Sequence, residues 1–440
     1  MASNASPQLE RELGVFGAVM LGLGSIVGTG VFVSIGIAAG VAGPSVVLAV
    51  VIGALVATCN GLSSAQLAAA HPVSGGTYEY GYKFLNPLLG FSAGWLFMLA
   101  KSASAATAAL GFAGYLLGVF GVSPDVWLVV VALAAVVGLT LLVLSGLRRS
   151  NLTNIVIVSV TLLTLAVFVV TGLPTAWNNG TQNFVPFVPD EAGGGLRSLL
   201  YAAALMFVAY TGYGRIATLG EEVKDPARAI PKAIIITLVA TLVLYVSVAA
   251  VGVGAVGAET LANAAAQQAA PLELAARQFG PAWVPPVLAL GAMTAMLGVL
   301  LNLVLGLSRV LLAMGRRRDM PASVATLNEA QTTPTVAVTV VGVVIGLLVL
   351  IGDVRLTWSF SAFTVLCYYA LTNLAALRLP PDARRFPRWI SWLGLIACVS
   401  LAVFVEFSVL LVGVGVIVLG IIWHVIAQRL SSSDAEEVDK

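Results

Sequence analysis

Two long apolar stretches of this chain are interrupted by glycines, and the interruptions lie nearly half the sequence apart. The first is GSIVGTG at residues 24–30, and the second is AYTGYG at residues 209–214. A helix in lipid opens its backbone only where a cavity, a ligand or other protein satisfies the freed N–H and C=O groups. The two stretches therefore predict a pair of broken helices around an internal site.

The composition excludes a soluble domain of this size. Of the 440 residues, 59% are hydrophobic and only 10% are charged, whereas soluble proteins carry roughly a quarter charged residues. We therefore expect an all-α membrane protein with one domain over residues 1–440 and short cytoplasmic tails at 1–13 and 431–440. A crossing needs about 20 apolar residues, which predicts twelve spans at about 14–39, 43–69, 87–118, 125–145, 152–173, 196–219, 232–256, 283–313, 335–351, 355–378, 389–404 and 407–428.

The distribution of lysine and arginine orients the predicted spans. If both termini are cytoplasmic, most basic residues fall in cytoplasmic loops and flanks, and the outer loops and flanks hold only Arg197, Arg277 and Arg355. The positive-inside rule therefore predicts a multi-pass protein of the plasma or inner membrane with both termini in the cytoplasm.

The sequence offers no pattern for bond chemistry or for nucleic acid. No spacing of His, Cys or carboxylates resembles a metal site, and the predicted spans carry no convergent set of His, Asp or Cys for an enzyme. No block of basic residues suits nucleic acid. We expect no cofactor, no metal and no catalytic activity, and we expect the partners to be the lipid bilayer and a small solute.

The first glycine-rich stretch predicts a site for a carboxylate. If the helix opens around Gly28, Thr29 and Gly30, its second half presents free N–H groups and the positive end of its dipole, which suit an anion. Thr29 would add a hydroxyl. The alternative is a face of small residues for close helix packing, since GxxxG-type spacing is common in membrane helices.

The second stretch predicts the complementary site for an amine. Where that helix opens, free carbonyl groups would suit an ammonium group, and the residues concerned are Phe207, Val208, Ala209, Tyr210 and Thr211. A zwitterion with its carboxylate at the first break and its amine at the second is the natural ligand for such a pair. Phe207 and Tyr210 could wall the pocket for its side chain, and ordinary helix packing is the alternative for each.

Four further segments carry a family resemblance. They are GSIVGTGVF at 24–32, PVSGGTYEY at 72–80, EEVKDPARAIPKAI at 221–234, and SRVLLAMGRRRDMPASVATLN at 308–328 followed by TP at 333–334. In this order they resemble the amino acid–polyamine–organocation transporter superfamily, the amino acid permeases. The resemblance covers nearly the whole chain.

The resemblance implies the leucine-transporter-type fold. In that fold two inverted repeats of five spans, here about 14–173 and 196–378, are followed by two extra helices, here about 389–428. Spans one and six are broken where the substrate binds. Carried over by position, Gly28, Thr29 and Gly30 would hold the substrate carboxylate. The amine and the side-chain pocket would involve Phe207, Val208, Ala209, Tyr210 and Thr211.

Charged residues near the breaks supply candidates for coupling and gating. Some proton-coupled relatives carry a lysine in span five, where Thr161 stands here. Lys101 lies deep in span three, where an ionisable group is costly and points to function, and burial favours its neutral form. We expect Lys101 to couple transport to protons, the alternative being a lysine tied to freed carbonyls or snorkelling to an interface. The gating candidates are Arg215, Glu221 and Glu222.

Together these observations predict a secondary active transporter of amino acids that works by alternating access. Proton symport is the expected driving force, with amino acid exchange, sodium coupling and polyamine transport as alternatives. A channel is a further alternative, but a channel needs a continuous pore with selectivity rings, whereas paired broken helices predict an occluded site.

Overall fold

The structure, a computed structural model, describes residues 13–73, 75–146, 151–188, 195–217, 223–279, 281–328 and 333–438. Within these ranges the regular secondary structure is helical, apart from one isolated β-bridge between Leu13 and Val223. The α-helices are α1 (Val15–Ile26), α2 (Thr29–Phe32), α3 (Ser34–Ala42), α4 (Val46–Ala70), α5 (Thr77–Phe84), α6 (Pro87–Phe120), α7 (Asp125–Leu144), α8 (Asn151–Asn179), α9 (Gly195–Tyr210), α10 (Gly214–Ala217), α11 (Pro226–Val256), α12 (Ala258–Gln268), α13 (Pro271–Phe279), α14 (Val284–Arg316), α15 (Thr335–Val349), α16 (Val354–Leu377), α17 (Arg388–Phe404) and α18 (Phe407–Val438).

Several of these helices are apolar and long enough to cross a membrane. In the described residues, nine segments meet that requirement: Ser34–Ala70, Pro87–Phe120, Asp125–Leu144, Leu152–Asn179, Gly195–Ala217, Pro226–Val256, Val284–Arg316, Val354–Leu377 and Phe407–Arg429. Three apolar helices, α1, α15 and α17, are shorter. The prediction of an all-α fold with many apolar spans is confirmed, while the number twelve and the inverted repeats stay predictions.

The outer surface of the bundle is apolar. Large side chains on α7, α15 and α17 are more than half exposed, with Leu141 at 60%, Leu347 at 61% and Val403 at 63%. Soluble proteins rarely present large apolar patches to water. Lipid tails accept such a surface, so these helices are suited to face the bilayer.

Helix α6 crosses the middle of the bundle, and local sequence signals set its ends. At its start the side chain of Asn86 accepts a hydrogen bond from the N–H group of Leu89 at 2.9 Å, and a proline occupies the first helical position, as helix starts favour. At its end Gly121 adopts a positive φ of 65°, the usual conformation of a terminating glycine. A Cβ atom added at Gly114 would overlap the carbonyl oxygen of Gln268 in α12. The backbone of α6 therefore packs directly against the backbone at the end of α12.

The two ends of the bundle differ in their connecting segments. One end, here called the basic face, carries α5 and the turn after α14, which are joined because the Tyr82 hydroxyl donates to the Asp319 carboxylate at 2.7 Å. The opposite face carries α12 and α13, and there the Arg277 guanidinium donates to the carbonyl oxygen of Gly118, near the end of α6, at 2.8 Å. The positive-inside rule predicts that the basic face is cytoplasmic.

Candidate substrate site

The chain leaves the helical conformation at the first glycine-rich stretch. Between α1 and α2, Val27 (φ −80°, ψ 97°) and Gly28 (φ −172°, ψ −122°) are not helical. The N–H groups of Val31 and Phe32 both bond the carbonyl oxygen of Gly28 at 3.1 Å, which starts a new half-helix. The N–H groups of Thr29 and of the glycine after it lie at this start, where no helical carbonyl precedes them.

Two residues of this new half-helix face the second glycine-rich stretch. The Thr29 hydroxyl is buried and has no hydrogen-bond partner among the described residues. A Cβ atom added at Gly30 would lie 2.6 Å from the Cβ atom and 2.9 Å from the Cα atom of Ala209. The glycine therefore lets the two stretches approach each other closely.

The second stretch tightens the helix instead of unwinding it. Residues Thr211–Tyr213 form a 3-10 turn between α9 and α10. The N–H group of Gly214 bonds the carbonyls of Thr211 and Gly212, whereas an α-helix would use the carbonyl of Tyr210. The predicted break in this helix is thus one 3-10 turn, which keeps the backbone groups of the turn bonded in apolar surroundings.

Tyr245 in α11 connects the two interrupted helices. Its hydroxyl oxygen lies 2.8 Å from the carbonyl oxygen of Ile26, at the end of α1, and 3.3 Å from the carbonyl oxygen of Ala209, near the end of α9. The side chain is fully buried. A carbonyl freed at a helix end needs a donor where no water reaches, and this hydroxyl supplies one. Sequence analysis missed Tyr245.

A cavity of about 240 Å³ lies beside the two interruptions, and a second cavity of about 40 Å³ lies between them; because they share lining residues, they are called here the larger part and the narrow extension of the cavity. The residues that line both parts are Ser25, Lys101, Thr211, Gly212, Val299 and Leu303. The larger part continues to Gly75, Gly76 and Tyr78 at the start of α5. It therefore runs from the middle of the bundle toward the basic face.

The narrow extension brings together most of the residues predicted to bind substrate. Thr29, Gly30, Val208 and Ala209 line it, and Thr211 lines both parts of the cavity. Gly28 does not line either part. A Cβ atom at that glycine would lie 2.7 Å from the side chain of a valine in α14, so it allows close packing of the break on α14.

The two aromatic residues predicted to wall the pocket do not line it. Phe207 and Tyr210 are fully buried. The Tyr210 hydroxyl lies 3.3 Å from the carbonyl oxygen of Val50 in α4, and the Phe207 ring packs edge-on against Tyr369 with 5.6 Å between centroids. In this structure both side chains take part in helix packing, which was the alternative to a role in the pocket.

Lys101 lies at the junction of the two parts of the cavity. Its Nζ donates to the Thr211 hydroxyl oxygen at 2.8 Å, and that hydroxyl donates in turn to the carbonyl oxygen of Val208 at 2.8 Å. The lysine is half-buried and turns to the second interruption, not to a membrane interface. Its ammonium group thus stands where the sequence predicts the amine of the substrate.

The other coupling and gating candidates have different surroundings. Arg215 is exposed and lines the larger part of the cavity, whereas Glu221 and Glu222 lie outside the described residues. Thr161, at the position of the missing lysine, is buried, and its hydroxyl donates to the carbonyl oxygen of Ile157 in its own helix at 2.7 Å. Its hydroxyl therefore serves helix packing here.

Several residues of the cavity were not among the candidates predicted from the sequence. Asn302 and Arg309 of α14 and Tyr368 and Tyr369 of α16 line the larger part, and Trp358 lines the narrow extension. An arginine within an apolar span is the one signal that could have been used.

Near the basic face, buried polar groups surround the mouth of the cavity. The Asp319 carboxylate accepts hydrogen bonds from the hydroxyls of Tyr78 at 2.6 Å and Tyr82 at 2.7 Å. Burial, and next the hydrogen bonds to Asp319, raise the pKa of both tyrosines. Arg317 pairs with Glu79 at 2.7 Å and lies 4.1 Å from the Tyr82 ring centroid. These contacts fix α5 against the turn after α14.

Comparison with known proteins agrees with this architecture. A model of the family described as amino acid permease matches residues 17–434. An uncharacterized transporter of Mycobacterium tuberculosis is 39% identical over 98% of this chain and 96% of its own length. The branched-chain amino acid permease of Bacillus subtilis is 29% identical over 97% of this chain and 93% of its own length. A vacuolar cationic amino acid transporter of Arabidopsis thaliana is 27% identical over 85% of this chain and 64% of its own length. With a match over nearly its whole length, this multi-pass membrane protein belongs to the amino acid permease family.

Proposed function

We propose that this protein is a secondary transporter that binds a single amino acid in the narrow extension and carries it by alternating access. The observation that carries the proposal is the cavity between the two interrupted helices, because an α-amino acid needs an anion site and a cation site within a few ångströms. The family membership supports an amino acid as the substrate.

The first interruption supplies the anion site in this proposal. The substrate carboxylate accepts hydrogen bonds from the N–H groups at the start of α2 and from the hydroxyl of Thr29. That hydroxyl is buried without a partner among the described residues, and a buried polar group without a partner costs about 1–3 kcal/mol. A bound carboxylate would remove this cost.

The second interruption supplies the cation site. The substrate amine faces the carbonyl groups of Val208 and Ala209, near which the hydroxyls of Thr211 and Tyr245 also lie. A carbonyl oxygen has two lone pairs and can accept a second bond. Lys101 lies at the edge of this region, where its ammonium group donates to the Thr211 hydroxyl.

The charge of Lys101 gives it a role in coupling. Its ammonium group donates to the neutral Thr211 hydroxyl and forms no ion pair among the described residues. When protonated, it adds a positive charge beside the site that attracts the substrate carboxylate, and this attraction is lost when the proton leaves. We propose proton symport on this basis, because proton and substrate are then bound together and released together, while exchange, sodium coupling and polyamine transport remain the alternatives.

The cavity suits one stage of an alternating-access cycle. It extends to the basic face, while on the other side the Tyr115 hydroxyl donates to the carbonyl oxygen of Phe32 at 2.8 Å and Arg277 bonds the end of α6. If the basic face is cytoplasmic, this is an inward-facing conformation. The outward-facing conformation requires these contacts near α12 and α13 to open.

Counterflow in proteoliposomes tests the proposed function. Vesicles containing the purified protein are loaded with an unlabelled amino acid, and accumulation of the same labelled amino acid is measured for each of the common amino acids. A carrier accumulates label only in loaded vesicles, whereas a channel equilibrates it. Absence of counterflow for every amino acid would overturn the proposal.

A matched pair of threonine variants locates the site. Thr29→Val removes the hydroxyl with little change in volume and should raise KM by about tenfold or more, since a hydrogen bond to a charged group contributes about 1.5–3 kcal/mol. Thr294→Val is the control, because that side chain is only partly buried, does not line the cavity and bonds its own helix at 3.0 Å. Equal KM values for both variants would place the substrate elsewhere.

The role of Lys101 needs its own measurement. Lys101→Met should abolish the stimulation of uptake by an inward proton gradient while counterflow, which needs no gradient, continues. An uptake rate in Lys101→Met vesicles that still rises with the proton gradient would exclude this lysine from coupling.

A further inference from the structure

The described lining of the cavity is basic. It contains Lys101, Arg215 and Arg309, and no aspartate or glutamate. We propose that the preferred substrates are amino acids with a carboxylate in the side chain, of the aspartate and glutamate class. The inference rests on the proposed function, because it assigns a substrate class to that same cavity.

The inference depends on two of these basic groups, Lys101 and Arg309. Lys101 donates to a neutral hydroxyl. Arg309, on α14, is exposed to the cavity. Within the described ranges neither side chain forms an ion pair with an acidic residue. A positive charge without a counter-charge among the described residues is available to an anionic solute.

Among the described residues, two acidic side chains, Glu79 and Asp319, lie near the mouth of the cavity. Glu79 is paired with Arg317 at 2.7 Å. Asp319 is buried and accepts hydrogen bonds from two tyrosine hydroxyls. Neither carboxylate lines the cavity, and the ion pair with Arg317 neutralises the charge of Glu79.

The shape of the cavity places the two ends of such a substrate. The backbone carboxylate and amine occupy the narrow extension of about 40 Å³, and the side chain projects into the larger part of about 240 Å³. There Arg309 offers a guanidinium group, which binds a carboxylate through two parallel hydrogen bonds. The Asn302 side chain lines the same part and adds an amide.

Electrostatics separate the three classes of amino acid. A cleft of one sign within low-dielectric walls concentrates solutes of the opposite sign. Glutamate brings one net negative charge into this cavity, glutamine brings none, and lysine brings a positive charge next to two others. The expected order of affinity is therefore glutamate and aspartate, then glutamine and leucine, then lysine.

A competition assay on the unmodified protein tests the proposal. Counterflow of labelled glutamate is measured against unlabelled glutamate, glutamine, leucine and lysine, of which the first two differ in charge and hardly in shape. Glutamate should compete at least about tenfold better than glutamine. If glutamine or leucine competes as well as glutamate, or if only neutral amino acids are carried, the substrate class is wrong and the proposed function stands. If no amino acid is carried, both fail.

A pair of arginine variants tests the assignment of the side-chain carboxylate. Arg309→Gln should lower the preference for glutamate over glutamine by about tenfold, equivalent to about 1.4 kcal/mol. Arg316→Gln, an exposed arginine on the same helix outside the cavity lining, should leave the preference unchanged.

The ratio of the two affinities separates charge recognition from structural damage. A merely structural effect of Arg309→Gln weakens glutamate and glutamine together and keeps their ratio, and that outcome would remove Arg309 from the proposal. If Arg309→Gln does not fold, Arg309→Lys serves instead: it keeps the charge and should retain a preference for glutamate, and an unselective lysine variant would contradict recognition by charge.

Discussion

Two glycines that line the cavity have very different surroundings. A Cβ atom at Gly212 would overlap the carbonyl oxygen of Ser25 and lie 2.7 Å from the Cγ1 atom of Ile26, whereas one at Gly306 would meet no atom within 4 Å. We predict that Gly212→Ala destabilises the protein and impairs transport, and that Gly306→Ala does neither.

The size of each effect follows from these contacts. The carbonyl group of Ser25 belongs to the backbone of α1 and cannot rotate away, so α1 and the 3-10 turn must separate by about 1 Å to reach ordinary contact distance. Overpacking of this kind costs about 1–3 kcal/mol. Gly306 lies inside α14, where alanine avoids the entropic cost of glycine and stabilises the helix by about 0.5–1 kcal/mol.

Thermal unfolding of the purified protein and counterflow kinetics measure both effects. Gly212→Ala should lower the melting temperature by at least about 2 °C and raise KM, because the added methyl group widens the gap between the two interruptions that form the site. Gly306→Ala should leave KM unchanged and the melting temperature equal or higher. Wild-type behaviour of Gly212→Ala would refute the close contact between the two interrupted helices.

Two further predictions concern hydroxyl groups. Tyr245→Phe removes the donor for the carbonyl group at the end of α1 and should cost about 1–3 kcal/mol of stability, and an unchanged melting temperature would count against that bridge. Tyr78 has a raised pKa in the folded protein, so it keeps its proton where the unfolded chain ionises. The contribution of Tyr78 to the free energy of unfolding is complete below the ordinary pKa of about 10 and declines as the pH rises above that value. Tyr78→Phe should make the alkaline decline of the melting temperature shallower, and an identical slope in both proteins would contradict this.

The sequence was informative at residues that are energetically costly within a membrane helix, because few structural roles can account for them. Gly28 and Gly30 interrupt an apolar run, and the structure shows a non-helical backbone at the first and a close approach to Ala209 at the second. Lys101 was notable for the same reason, since a charge in a span is costly. In each case the energetic cost of a broken backbone or of a charge in lipid pointed to the residue from the sequence alone.

The rest of the site depends on how the helices are rotated and packed. Tyr245 bonds a carbonyl 219 residues earlier in the chain, and nothing in an apolar helix indicates such a partner. The rotation of α9 turns Phe207 and Tyr210 away from the cavity. Because that helix is apolar on all sides, its sequence has no polar face from which the rotation could be read.

The described lining of the cavity includes α5 and the end of α14 but no residue of α12 or α13. In the proposed alternating-access cycle, a solute held there leaves toward the basic face, so the bundle would have to rearrange before the next solute binds from the other side. Turnover is then limited by helix motion, on the microsecond-to-second scale of such transitions, and not by diffusion. Under the proposed mechanism such a passage offers ions no continuous leak, so the membrane would keep its voltage while amino acids cross it.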